Sequence, residues 1–283
     1  MTRIANYWHD LQLAWGPERR ILKRQPKPFK SENAMLLKDQ IVLVTGGGSG
    51  IGLELSKQLA ALGNTMFICG RNVEKLKAAE KAYGLKVVPA DVTFAEDQQA
   101  VLKAIETAHG RLDLLINNAG VLLAYDFASQ EDAVSRIESE IGINAIAPVT
   151  LAKRALPLLS LSQAPAILFV GSGSAYVPVA GAPVYSGTKA FIHHTAQGLR
   201  HQLKDVGISV FEVLPPVIAT DMGNSMKSKN LKVMEPADLV SDILKGLASD
   251  NLEMVPGQSR QLRLLSRIMP GYLFRQIAKT RFH

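Results

Sequence analysis

The chain is expected to fold as an α/β protein: a doubly wound parallel sheet of about seven strands with helices on both faces. Three observations predict this. Short apolar runs alternate with helical stretches from Gln40 onward. A glycine-rich loop joins the first apolar run to the first helix, the place where such folds hold phosphate. Apolar residues make up 47% and charged residues 20% of the 283, enough for one sizeable core. No apolar run approaches the ~20 residues of a membrane-crossing helix.

The elements follow in order. Residues 41–44, Ile-Val-Leu-Val, form a fully apolar strand of the buried parallel kind. The loop 45–52 comes next, then a helix through Leu62. Residues 65–69 are the second strand, and Asn72 caps a helix to about Tyr83. Residues 86–89 form the third strand, with a helix over 95–109 behind it. The fourth strand is 112–116. Helical stretches near 130–142 and 145–160 precede a strand at 166–170. A helix over 184–203, a strand at 208–214, a helix at 236–249 and a short strand at 252–255 close the series. Repeated strand–helix alternation implies right-handed crossovers and a sheet covered on both faces.

Charge divides the chain. The formal net charge of +7 is +4 over residues 1–34 and +6 over 257–283, so the body is mildly acidic. Three parts are expected: a basic N-terminal appendage, 1–34; a catalytic and nucleotide-binding domain, 35–256; a basic amphipathic tail, 257–283. A nucleic-acid partner is not expected, because a basic stripe on the folded core is missing. The basic ends leave room for contact with a membrane surface, although packing on the body is the simpler expectation. In the appendage, Ile4, Tyr7 or Trp8, Leu11 and Trp15 recur at helical spacing until Pro26 and Pro28 break it. A signal-peptide pattern is absent from the start, and the one cysteine, Cys69, lies in an apolar run, consistent with a cytoplasmic setting.

The loop reads Thr45-Gly46-Gly47-Gly48-Ser49-Gly50-Ile51-Gly52. Its glycines allow a tight turn and close approach to a pyrophosphate at a helix N-terminus. About 20 residues on, where a carboxylate would hold two ribose hydroxyls, stand Gly70 and Arg71. A guanidinium pairs with a 2′-phosphate, which favours NADP(H) over NAD(H). Asp91 is placed to accept from an adenine amino group, or to cap the next helix. Tyr185 and Lys189 are four apart on one helix, one turn, so a phenol lies beside an ammonium. An adjacent positive charge lowers a phenol's pKa, which suits acid/base work. Alone, the pair is more simply read as a surface coincidence.

With these, Asp91-Val92, Asn117-Asn118-Ala119-Gly120, Asn144, Ser172 and Pro215-x4-Thr220 stand in order. The set resembles the short-chain dehydrogenase/reductase family over about residues 36–255, and so implies a Rossmann-type fold. Leu214-Pro-Pro-Val217 and the basic tail are most similar to its DltE-like oxidoreductase branch. The resemblance implies catalytic roles for Asn144, Ser172, Tyr185 and Lys189: Tyr185 as general acid/base, Ser172 as donor to the substrate oxygen, Lys189 as ligand of phenol and ribose, and Asn144 holding a relay water. It implies cofactor contacts at Thr45, Gly46, Gly48, Ser49, Gly50, Ile51, Gly52, Arg71, Asp91, Val92, Asn118, Ala119, Gly120, Pro215, Ile218 and Thr220, besides Tyr185 and Lys189. Each has a plainer alternative, such as Ser172 in a turn, Asn144 at a helix end or Thr220 as an N-cap. Pro216 departs from the family's Pro-Gly and stiffens the loop. Ser174 offers a second hydroxyl.

The expected function is therefore NADP-dependent hydride transfer between nicotinamide and a small-molecule carbonyl or alcohol, in a homo-oligomer. The rivals are a 3-oxoacyl or hydroxysteroid-type reductase of a long apolar substrate, and a non-catalytic NADP(H) sensor or scaffold. His193 and His194, being adjacent, make a poor metal pair, and no metal is expected. Residues 219–234, with Met222, Met226 and Met234, read as a lid or as an ordinary loop.

Overall fold

The computed structural model describes residues 37–224 and 233–278. The expectations for 1–34, for Met226 and for the last five residues lie outside these.

Seven parallel strands form one sheet: β1 (Ile41–Thr45), β2 (Thr65–Gly70), β3 (Lys86–Pro89), β4 (Leu114–Asn117), β5 (Ala166–Val170), β6 (Ser209–Val213) and β7 (Glu253–Met254). Their spatial order is β3-β2-β1-β4-β5-β6-β7. The helices are α1 (Gly50–Ala61), α2 (Val73–Tyr83), α3 (Ala95–His109), α4 (Ala133–Ile141), α5 (Ala147–Leu159), α6 (Pro183–Lys204), α7 (Pro236–Ala248), α8 (Ser259–Ile268) and α9 (Pro270–Ile277), with a short helical turn at Asp221–Asn224.

Side chains along β1 alternate between two cores, as the period of two requires. Val42 and Val44 join Leu55 and Leu59 of α1, Leu76 of α2 and Leu239 and Ile243 of α7 on one face. Ile41 and Leu43 join Ile105 of α3, Leu151 and Ala155 of α5 and Ile192 of α6 on the other. Both faces of the strand are thus covered, which explains why β1 is apolar throughout. Buried Asp113 accepts from the Ile41 amide at 2.8 Å and so starts β1 and β4 in register.

The chain order reverses between β1 and β4. In open parallel sheets the crevice beyond the carboxyl ends at such a reversal is where ligands bind. Three loops leave the sheet around it: the glycine loop after β1, 118–120 after β4 and 171–174 after β5.

Two local features differ from expectation. The stretches near 130–142 and 145–160 are joined by a π turn, Gly142–Ile146, with α4 before it and α5 after. Asp91 does not cap α3: Phe94 is at the N-cap, and Asp91 Oδ1 accepts instead from the Thr93 amide and hydroxyl at 3.0 and 2.7 Å.

Candidate active site

Thr45 ends β1 facing inward. Its hydroxyl accepts from the amides of Asn118 and Ala119, each at 3.0 Å, and so ties the loop after β4 to the glycine loop. Asn118 Nδ2 returns a bond to the Thr45 carbonyl at 2.9 Å. Gly46 takes a positive φ of 65°, the left-handed turn that aims the loop across the sheet end. Gly52, in the first turn of α1, must be glycine for a different reason. A Cβ there would stand 2.4 Å from both the Gly46 carbonyl and Asn118 Nδ2. The Ser49 side chain makes no capping bond, so the first amides of α1 are left for a ligand.

A cavity of about 520 Å³ opens beside this loop. Gly46, Ser49, Gly50, Ile51, Asn118, Ala119, Gly120, Ser172, Ser174, Tyr185, Lys189, Pro215, Ile218 and Thr220 all line it. Residues far apart in sequence therefore converge as the motifs imply. Seven of the sequence-derived residues lie off its wall: Thr45, Gly48, Gly52, Arg71, Asp91, Val92 and Asn144. Thr45 and Gly52 shape the loop from behind. Gly48 faces α2, where a Cβ would meet Lys75 and Leu76 at 3.4 Å. Val92 is buried in the core, with its carbonyl accepting from Gln98 at 2.6 Å. Arg71 is exposed at the end of β2, 3.8 Å from the Asp91 carboxylate.

Asn144 sits at the centre of the π turn, a distortion frequent at functional sites. Its side chain clasps the backbone of Val121, accepting from N and donating to O at 2.8 Å each, and reaches the Thr188 hydroxyl at 3.3 Å. Asn144 Oδ1 and Lys189 Nζ flank Gly120, at 3.2 and 3.7 Å from where a Cβ would be. Asn144 thus stands one layer behind the cavity, against the lysine.

Tyr185 and Lys189 are both buried on α6, with Nζ 5.6 Å from the phenol ring centroid. The ammonium donates to the Val170 carbonyl at 2.9 Å rather than to the phenol. Burial raises the Tyr185 pKa to about 12; Ser172 pulls it down and Glu140 pushes it up. The lowering expected from Lys189 does not govern this site: desolvation does, with Ser172 rather than the ammonium opposing it. Burial likewise brings Lys189 down to about 8, with Glu212 and then Glu140 pulling it up. Burial also drives the Cys69 thiol to about 12, leaving it inert at neutral pH.

The structure gives a place near the site to several residues that the sequence missed or left without a role. Glu140 is fully buried one turn before Asn144; Oε1 accepts from the Leu123 amide at 3.1 Å, and Oε2 has no hydrogen-bond partner among the described residues. Burial raises its pKa. The i, i+4 spacing to Asn144 was the available signal. His193 is buried one turn beyond Lys189 and pairs with Glu212 Oε2 at 2.8 Å, while His194 is exposed on another side. Glu253 completes this group and is held by Arg263 at 2.9 Å. Lys75 reaches Asp221 at 3.5 Å, joining α2 to the turn after Thr220 across the mouth of the glycine loop. The tail packs on the body, and it contributes the largest part of the wall that the sequence did not assign: Gln258, Gln261, Leu262, Leu265, Leu273 and Ile277 line the cavity from α8, α9 and the residue before α8. Ile277 packs on the cluster that contains Tyr185.

Comparison with known proteins places these features. Residues 40–231 match the family model described as short chain dehydrogenase. The chain is 33% identical over 247 residues to the uncharacterized oxidoreductase DltE of Bacillus subtilis (strain 168), covering 86% of this chain and 98% of that protein. It is 31% identical over 215 residues to an uncharacterized oxidoreductase of Staphylococcus aureus (strain MRSA252), covering 75% and 92%. Among solved structures, a short chain dehydrogenase from Burkholderia cenocepacia J2315 in complex with NADP superposes with a TM-score of 0.75 at 23% identity, over 86% of this chain and 99% of that one. A 3-ketoacyl-(acyl-carrier-protein) reductase from Brucella melitensis complexed with NADH gives 0.70 at 21%, over 77% and 97%. These two likenesses bear on the fold. Family model and sequence relatives together show that the chain belongs to the short-chain dehydrogenase family of oxidoreductases, on its DltE-like branch.

Proposed function

We propose that this protein is an NADP-dependent oxidoreductase that moves a hydride between the nicotinamide and a carbonyl or alcohol substrate, with Tyr185 as general acid/base. One observation carries the reading: Ser172, Tyr185 and Lys189 line the same cavity as the glycine loop. The site suits a dinucleotide, because Gly46 turns the loop through a positive φ and leaves the first amides of α1 directed at a ligand. Bound there, the nicotinamide ring supplies or accepts the hydride.

The chain's own groups do the rest. Amides of Ser49, Gly50 and Ile51 hold the pyrophosphate. Arg71, standing where a ribose-binding carboxylate would end β2, pairs with a 2′-phosphate, and Lys75 adds positive charge nearby. Ser172 donates to the substrate oxygen and polarises it. The Tyr185 phenol, raised to about 12 by burial, is protonated at neutral pH and so stands ready to donate its proton when a carbonyl is reduced. Lys189 holds positive charge under the phenol and, with Asn144 behind it, connects the site to further proton carriers. Apolar Leu262, Leu265 and Leu273 over the cavity favour a substrate with an apolar body, as a 3-oxoacyl or hydroxysteroid-type reductase would take. Exposed Val134, Ile141, Ile146 and Phe191 support a homo-oligomer formed around α4 and α6.

The test is a screen of aldehydes, ketones and alcohols by nicotinamide absorbance with both cofactors, repeated on Tyr185→Phe. The variant should bind NADPH and lose at least about a hundredfold in turnover. Unchanged turnover overturns the assignment of Tyr185. Binding without turnover of any substrate by the wild type favours the sensor.

A further inference from the structure

The two tail helices have an inner face and an outer one. Inward, Leu262, Leu265, Leu273 and Ile277 roof the cavity. Outward, Leu264 is 59% and Ile268 64% exposed, one turn apart on α8. Met269, Tyr272 and Phe274 continue the exposed apolar surface across the bend into α9. Isolated exposed apolar side chains are ordinary, whereas a run of five on adjoining helices marks an interaction surface.

Charge selects the occupant. Every charged side chain after Glu253 is basic. Arg263 turns inward to Glu253, and the Arg260 guanidinium donates to the Val255 carbonyl. Arg267 and Arg275 are exposed among the apolar residues, and among the described residues neither is in an ion pair. A second copy meeting this face across a two-fold axis would set arginines against arginines with no acidic side chain on either side. An apolar stripe flanked by cations fits instead the boundary between anionic headgroups and acyl chains.

We propose that the outer face of α8 and α9 docks on an anionic bilayer surface, seating the roof of the cavity against the lipid. The inference does not depend on which reaction the cavity carries. It concerns Leu264, Arg267, Ile268, Tyr272, Phe274 and Arg275, none of which lines the cavity. The inner residues of the same helices would then lie just beneath the docked surface, a short path for an apolar molecule leaving the membrane.

The experiment is co-sedimentation of the full chain with vesicles of phosphatidylcholine alone and of phosphatidylcholine with about one third phosphatidylglycerol. The wild type should bind the anionic vesicles, release them as salt rises and bind the neutral ones at least about tenfold more weakly. Two variants are compared: Arg267→Glu with Arg275→Glu, and Leu264→Ser with Ile268→Ser. Each should lose at least about tenfold in binding while keeping the wild-type melting temperature, oligomeric mass and cofactor affinity. The surface substitutions sit outside the core, so both variants should fold. Absence of binding to anionic vesicles overturns the proposal, as does undiminished binding by both variants. A change of oligomeric mass in the serine variant overturns it in favour of a second copy.

Discussion

The Lys189 ammonium donates to the carbonyl of Val170 at 2.9 Å, tying the helix that carries Tyr185 to the end of strand β5 by a buried charge. The same burial that positions the ammonium opposes its protonation.

That opposition is measurable. Lys189 falls from 10.5 to about 8 on folding. A base with a depressed folded pKa destabilises the fold while it is protonated, so the penalty is full below pH 8 and vanishes above 10.5. Lys189→Met removes the titration. The stability of this variant relative to wild type should therefore fall by about 3 kcal/mol between about pH 7 and about pH 10.5. Urea unfolding at both values checks this; a pH-independent difference would show that the ammonium is solvated.

His193 behaves in the opposite sense. Its hydrogen bond to Glu212 raises its pKa above 6.5, against the effect of burial. A raised folded pKa gives stability that is fully present below 6.5 and lost as pH climbs through the folded value. Glu212 is completely buried and its Oε1 has no hydrogen-bond partner among the described residues, so His193→Ala strands the side chain. The variant should lose about 3 kcal/mol at about pH 6 and less at about pH 8.5. Melting temperatures across this range provide the test.

Gly52 has no room for a methyl group. The Gly52→Ala variant must move both the Gly46 carbonyl and the Asn118 side chain, each 2.4 Å from the new carbon. A loss of about 1–3 kcal/mol and at least about tenfold weaker NADPH binding should follow. Gly198→Ala, at an exposed position of α6 with nothing within 4 Å, should stabilise by about 0.5–1 kcal/mol and leave binding alone. Equal effects of the two would mean that the loop tolerates displacement.

Arg71→Asp tests the cofactor preference. The new carboxylate would repel a 2′-phosphate, stand near Asp91 and accept from ribose hydroxyls. The ratio of NADPH to NADH affinity should drop at least about tenfold, read by fluorescence titration. An unmoved ratio would place phosphate recognition elsewhere, with Lys75 the first alternative.

Much of the fold is legible because it is local. Residues 41–44 announce a buried strand by lacking any polar residue, and the glycine loop announces a turn into a helix. The helices over 95–109 and 236–249 match α3 and α7 to within a residue. The π turn at Asn144 is not legible, since it depends on how Val121 and Thr188 meet the Asn144 side chain. Nor is the roof of the cavity. The tail's apolar residues announce amphipathic helices, but which face turns inward depends on the ends of β5 and β6.

For Tyr185 and Lys189, the order of residues is enough to put both on one face of one helix, because four residues make a turn. It is enough, too, to show Arg71 in place of a carboxylate at the end of the second strand. Their electrostatics came from the packing of the folded chain. Burial beneath α9 and against β5 raises the phenol and lowers the ammonium, since removing a group from water penalises its charged form, and no local spacing states how deeply a group is buried.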